Sequence, residues 1–258
     1  MKLPIYQVDA FASEVFRGNP AAIVPLDRWI EPALMQAIAA ENNLAETAFF
    51  VMGKEPEIRW FTPRVEMDLC GHATLASAYL LFDRFEPGRT QVTWASKSGP
   101  LTVTRGNDLL ALDFPCRPPV ANGVPAGLET ALGAAPREVL TSRDVFAVFE
   151  HEDDVRGLTP DFAKILELDV HGVIVTAPGK GVDFVSRFFA PKVGVPEDPV
   201  TGSAHCVLTP YWARRLGKKQ LHAHQVSERG GELWLEDRGE RVTISGRAVL
   251  YLEGTISV

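Results

Sequence analysis

Apolar residues fall along this chain in two patterns. Short apolar runs bounded by turn-forming residues, at Ile5 to Val8, Ala48 to Val51, Leu101 to Val103, Leu109 to Leu112, Val145 to Phe149 and Val173 to Thr176, have the length and composition of β-strands. Ala248 to Val258 reads as a final strand. In Pro32 to Asn43, Ala73 to Phe85 and Ala204 to Leu216 the apolar positions instead recur three to four residues apart, the spacing that gathers them on one helix face. Strands predominate, and the few helices fall between groups of them, which predicts an α+β fold.

Near the midpoint, Phe114 to Pro125 carries Pro115, Pro118, Pro119 and Pro125. Each proline lacks an amide donor and fixes its own φ, so this stretch predicts neither a central strand nor a helix. It reads as a linker between an N-terminal lobe, 1–116, and a C-terminal lobe, 117–258, with terminal strands free to cross between them; the alternative is a surface loop inside one domain. A repeat across this stretch favours the linker. Arg59-Trp60-Phe61-Thr62-Pro63-Arg64-Val65 is echoed 128 residues later by Arg187-Phe188-Phe189-Ala190-Pro191-Lys192-Val193. Cys70-Gly71-His72-Ala73 is echoed 131 residues later by Thr201-Gly202-Ser203-Ala204, and an apolar helical pattern follows in both. Two ordered matches at nearly one offset predict a duplicated α+β unit with two facing, pseudo-equivalent sites; two copies do not make a solenoid.

The repeated turns have a chemical reading. A helix start leaves several backbone N–H groups without intrahelical partners and concentrates the positive end of the helix dipole, which makes an anion cradle. Gly71 and Gly202 let a carboxylate approach the backbone, and His72 and Ser203 add side-chain donors. Either turn alone is an ordinary helix entry; its duplication is what points to a ligand. Glu46, in Asn42-Asn43-Leu44-Ala45-Glu46-Thr47, stands where a helix gives way to an apolar strand, and partial desolvation there suits general acid–base work. Spacing alone does not separate it from a solvated loop glutamate.

Composition narrows the partners. The 258 residues are 46% hydrophobic and 23% charged, enough for one large domain or two ordinary ones. The formal net charge of −7 argues against nucleic acid or an anionic membrane as partner and leaves room for a small acid in a local pocket. No apolar stretch approaches membrane-spanning length, and Met1 to Ala10 lacks a secretory signal, so a cytoplasmic protein is expected. Cys70, Cys116 and Cys206 are too few and too scattered for a disulfide framework or a CxxC metal site. His222-Ala223-His224 puts two imidazoles on one strand face, but no third ligand is near in sequence, so a solvated face is expected and no metal is assigned. The acidic run Glu150 to Asp154 reads as a solvated loop, and no P-loop or dinucleotide fingerprint is present.

Five segments occur in a familiar order: Gly18-Asn19-Pro20-Ala21-Ala22, Asn43-Leu44-Ala45-Glu46-Thr47, Arg59-Trp60-Phe61-Thr62-Pro63, Asp68-Leu69-Cys70-Gly71-His72-Ala73-Thr74 and Glu197-Asp198-Pro199-Val200-Thr201-Gly202-Ser203-Ala204-His205. The chain thereby resembles the phenazine-biosynthesis PhzF-like family, which has the diaminopimelate-epimerase fold. The resemblance implies two lobes related by a pseudo-twofold axis, each a mixed, mostly antiparallel sheet around a central helix, with an active site in the cleft between them and a homodimeric assembly. It also implies isomerisation without a cofactor. On this resemblance Glu46, His72 and Asp198 are the catalytic positions, and Cys70, Gly71, Thr201, Gly202 and Ser203 hold the substrate. In the phenazine enzyme, as the resemblance implies, the glutamate moves a proton between carbons of a dihydroxylated cyclohexadiene acid.

The related diaminopimelate epimerases pair two cysteines, one leading each helix. Here Cys70 keeps the first position and Thr201 stands at the second, and a hydroxyl is a poor base toward carbon at neutral pH. The expected function is a cofactor-independent isomerase acting on a small, carboxylate-bearing metabolite. Its alternatives are a two-base epimerase using Glu46 and Cys70, or a non-catalytic binding module on the same scaffold.

Overall fold

A computed structural model describes residues 1–258, which divide into two compact units: Met1–Phe114 with Ser245–Val258, and Pro115–Ile244. The sequence divides the lobes at 116/117 and leaves open which lobe the closing strand joins. It belongs to the first unit, because Ala248–Ser257 pairs antiparallel with Lys2–Ala10 along that strand's whole length, from Lys2 opposite Ser257 to Ala10 opposite Ala248.

The first unit contains a six-stranded sheet in the order Ala248–Ser257, Lys2–Ala10, Asn19–Leu26, Glu46–Val51, Glu57–Phe61, Glu66–Met67. Only Asn19–Leu26 and Glu46–Val51 run parallel, joined by the helix Pro32–Asn42, as a parallel pair requires a crossover. Pro32 opens that helix where no amide donor is needed, and Asn43 closes it in the left-handed region at φ 49°. One helix face packs Met35, Ile38 and Ala39 against Val24, Phe49 and Phe61. Gln91–Trp94, Leu101–Gly106 and Leu109–Pro115 follow as an antiparallel meander.

The central helix of this unit, Gly71–Leu80, is buried nearly all round, with His72 through Ala78 and Leu80 all inaccessible. Such a helix must hide its polar side chains internally. Thr74 donates to the Cys70 carbonyl at 2.5 Å and Ser77 to the Ala73 carbonyl at 2.7 Å. The apolar periodicity carried the expected helix to Phe85; there the last turn, Leu81–Phe85, widens into a π-turn.

The second unit places its strands in the order Arg241–Gly246, Gly231–Asp237, Gln220–Gln225, Phe184–Ala190, Val173–Pro178, Val145–Val148, Glu138–Thr141, and Val195–Glu197 pairs with Phe184–Ala190. It mixes antiparallel with parallel pairs, the parallel ones joining Val145 to Val173 and Phe184 to Ala223. Its long helix, Gly202–Leu216, contains Pro210. A proline there deprives the Cys206 carbonyl of its helical donor, and the Arg117 amide supplies the missing bond at 3.0 Å. The acidic run is not a solvated loop. Glu152–Gly157 is a short helix capped at His151 by Asp154, and Glu152 is buried, accepting from the Lys180 amide and Arg156, each at 2.7 Å.

The repeat read from sequence has the same physical content in each unit. Arg59 grips Glu66 through Nε and Nη2 at 2.7 and 3.0 Å, and Arg187 grips Glu197 likewise at 2.8 and 2.9 Å. Each guanidinium lies over the phenylalanine two residues on, Phe61 at 5.3 Å and Phe189 at 4.9 Å. A bidentate clip thus staples each Phe-x-Pro strand to the short strand leading toward its helix start.

Candidate active site

Glu46 opens the strand Glu46–Val51, opposite Ala21 of Asn19–Leu26, so this carboxylate sits on ordered sheet rather than in a loop. Its Oε2 lies 3.2 Å from Nε2 of His72, with only 15% of the Glu46 side chain and 6% of the His72 side chain exposed. The contact is close but off the line of a good hydrogen bond. His72 stands one residue into the central helix, and the N-cap Cys70 brings its Sγ to 3.6 Å from Nδ1 of the same ring. Asn19, fully buried beside the left-handed Gly18, sets its amide 3.2 Å from that Nδ1. Asn19 and Cys70 thus both bear on Nδ1, while Nε2 faces the Glu46 carboxylate.

These groups set one another's proton affinity. Burial pushes the Cys70 thiol up and the Glu46 carboxylate pushes it further, so Cys70 is a thiol at neutral pH. For His72, burial pulls downward, but Cys70 and then Glu46 outweigh it and hold the imidazole well above its ordinary 6.5. The imidazole is thereby biased toward its charged form beside Glu46 and Cys70, all within the first unit.

The second helix start is differently furnished. Thr201 caps Gly202–Leu216 and donates its hydroxyl to Asp198 Oδ2 at 2.6 Å. Gln225, buried at the end of Gln220–Gln225, accepts from the Thr201 amide at 2.8 Å and donates to the Asp198 carbonyl at 2.7 Å. His205, one turn into the helix, is fully buried and donates its Nδ1–H to the Thr201 carbonyl at 2.8 Å. Burial drives its pKa down to about 4, so it is a neutral donor fixing the start of the helix. Gly202 and Ser203 form the first turn.

The expected site residues therefore gather in two sets. Glu46, Cys70, Gly71 and His72 come together in the first unit, and Asp198, Thr201, Gly202 and Ser203 in the second. Three participants were given no role from sequence. Asn19 lay inside the quoted Gly18-Asn19-Pro20 segment and His205 closed the last one, so both had a signal; Gln225 had none, since only strand pairing brings it to Thr201.

Two sets of side chains offer three metal-ligand atoms within 4.8 Å of one another: Glu46, Cys70 and His72, and, in the second unit, His222, His224 and Glu232. No helix in the structure is long and apolar enough to cross a membrane.

The family model for phenazine biosynthesis-like proteins matches residues 8–254. The chain belongs to that family. An uncharacterised isomerase of Pseudomonas aeruginosa is 52% identical over 258 residues, covering 99% of both chains. The crystal structure of a PhzF-family protein from Enterococcus faecalis superposes with a TM-score of 0.97 at 49% identity over 100% of each chain. A predicted epimerase, also from Pseudomonas aeruginosa, shares the fold at TM-score 0.76 and 20% identity, with 99% of each chain covered. The phenazine biosynthesis-like chain accordingly has the α+β diaminopimelate-epimerase-like fold expected from its signature segments.

Proposed function

We propose that this phenazine biosynthesis-like protein is an isomerase that moves a proton between carbons of a small carboxylate-bearing metabolite, with Glu46 as the proton carrier. The observation that carries the reading is the half-buried Glu46 carboxylate 3.2 Å from a histidine ring whose other nitrogen is engaged by Asn19 and Cys70. Relatives that bear the name isomerase support the reaction class.

In the forward step Glu46 takes a proton from a carbon made acidic by a neighbouring carboxylate or unsaturation, and electron density moves toward that acceptor. The amides of the Gly71–Leu80 helix start and the imidazolium of His72 oppose the growing negative charge. The protonated Glu46 then returns its proton to a different carbon, or to the other face of the same one. No atom is gained or lost. Thr201, its hydroxyl committed to Asp198, has no thiolate-like lone pair to offer as a second base.

Cys70 gives the two-base reading its one specific support: a thiol held next to His72 is chemically able to donate a proton to carbon. The two readings separate in deuterated water. A panel of small unsaturated carboxylic acids, including a dihydroxycyclohexadiene acid, is incubated with the protein, and deuterium entry is followed by NMR. Glu46→Gln should slow exchange or turnover about 10²–10⁴-fold, the ordinary contribution of a positioned acid–base group, while Cys70→Ala keeps most of it. Loss of activity in Cys70→Ala equal to that in Glu46→Gln, with label arriving on the opposite face, replaces the single-carboxylate mechanism with the two-base one.

A further inference from the structure

The strand Gln220–Gln225 alternates inward Leu221 and Ala223 with outward His222 and His224. Two imidazoles two residues apart on a strand share a face, and sequence spacing offers them no third partner. Strand pairing does. Gln220–Gln225 runs antiparallel to Gly231–Asp237 with His224 directly opposite Glu232 and His222 directly opposite Trp234. Glu232 therefore projects from the same face, beside one histidine and diagonal to the other. Its Oε1 lies 2.8 Å from His222 Nε2 and 3.9 Å from His224 Nε2.

The geometry points to a divalent transition-metal site of the Zn²⁺ class, ligated by His222, His224 and Glu232, clipping these two strands together on the face of the second unit. Zinc takes imidazole nitrogen and carboxylate oxygen at about 2.0–2.2 Å, which in a tetrahedron separates neighbouring ligand atoms by about 3.3 Å. The present separations of 2.8 and 3.9 Å bracket that figure, so small side-chain rotations bring all three donors to one ion. The chemistry of the donors also fits: two imidazoles and one carboxylate form a three-ligand set that leaves a fourth position for water. His222 is already held in place. Trp234 stacks on His222 at 5.2 Å and 13°, and the His222 amide is tied to Asp183 Oδ2 at 2.7 Å. Arg156, the cation that also acts on this neighbourhood, is engaged at 2.7 Å by Glu152, whose carboxylate offsets its charge there.

The site is independent of the proposed proton transfer, and the test keeps it distinct from the Glu46, Cys70 and His72 cluster. The full-length protein, stripped with chelator, is titrated with Zn²⁺ by calorimetry and separately with Co²⁺ by absorption. The expected result is one equivalent bound, a Co²⁺ spectrum without thiolate charge transfer, and quenching of Trp234 fluorescence by Co²⁺. His222→Gln and Glu232→Gln should each weaken binding by at least the roughly 10–100-fold that loss of even an outer-shell partner produces. Both are solvent-facing changes, and circular dichroism checks that they fold. Cys70→Ala should bind as the parent does. The inference is overturned if the parent shows no saturable Zn²⁺ uptake, if His222→Gln and Glu232→Gln bind unchanged, or if Cys70→Ala abolishes uptake and Co²⁺ gives a thiolate band.

Discussion

Gly18→Ala is the most exacting test of how the sheet builds the site. Gly18 sits at φ +67°, in the left-handed region, and an added Cβ would stand 2.1 Å from the Ala10 carbonyl oxygen and 2.9 Å from the Ala12 Cβ. The left-handed backbone alone penalises a Cβ by roughly 1–2 kcal/mol. The contact with Ala10 demands a backbone shift of about 1 Å, and overpacking of that kind adds roughly 1–3 kcal/mol. Ala10 has nowhere to yield, since it is paired with Asn19 on one side and Ala248 on the other. The expected loss is about 2–5 kcal/mol, a large share of a typical 5–15 kcal/mol. It should be read by urea unfolding together with native-state hydrogen exchange over Lys2–Ala10 and Asn19–Leu26. Because the next residue, Asn19, holds the His72 ring, the variant should also disturb the His72 resonances in NMR. Gly88→Ala, which meets nothing within 4 Å and lacks a positive φ, is the control and should stay near the parent. If Gly18→Ala is within about 0.5 kcal/mol of the parent, the range of ordinary surface changes, the steric argument is wrong.

Further outcomes follow from the charges. His72 should titrate above 6.5 by NMR, and Glu46→Gln should lower it by removing one of the groups that raise it; a wild-type value below 6.5 contradicts the assignment. Cys70 should react with iodoacetamide more slowly than the half-buried Cys116, and faster in Glu46→Gln than in the parent, because the carboxylate helps hold its thiol protonated. His205, neutral in the fold down to about pH 4 but ordinary when unfolded, makes the unfolded chain bind the extra proton between those values. Stability should therefore be complete above about 6.5 and fall by roughly 3 kcal/mol as pH drops from there to 4, a slope that His205→Gln abolishes in acid denaturation curves. Arg187→Lys should destabilise by about 1–3 kcal/mol in urea, and more than Arg59→Lys, since Arg187 also donates to the Val155 and Leu158 carbonyls at 3.2 and 2.8 Å.

What the sequence disclosed follows the range of the interactions. The duplicated Arg-x-Phe-x-Pro strand and small-Gly-polar helix start are local: strand, turn and helix entry lie within about a dozen residues, so the chemistry of each is written contiguously. The partners that complete them are distant in sequence. Asn19 reaches His72 across 53 positions and Gln225 reaches Thr201 across 24, and both meetings depend on sheet register. Glu232 is the sharpest case: the two histidines were visible, but their third neighbour exists only because antiparallel pairing sets it opposite His224. The acidic run misled for another reason, since buried Glu152 is compensated by the Lys180 amide and Arg156, neither of which composition identifies as its partner.

The pairing of Ala248–Ser257 with Lys2–Ala10 has a consequence for how the molecule comes into being. The second unit is one uninterrupted run and has all its strands once Gly246 has left the ribosome. The first unit emerges almost entirely before it, yet waits through the synthesis of the whole second unit with Lys2–Ala10 unpaired along one edge. The entropy of closing so long a loop grows only by about 0.6 kcal/mol per doubling, so the delay is one of time rather than of stability. During that interval the open edge is a template for another nascent chain. Once closed, the Val258 amide meets the Met1 carbonyl at 2.8 Å, leaving the two ends side by side. A circular permutant that joins them through a short linker and opens at the exposed 121–124 segment would present both strands of the pair together as a hairpin, turning the longest-range contact in the molecule into a local one.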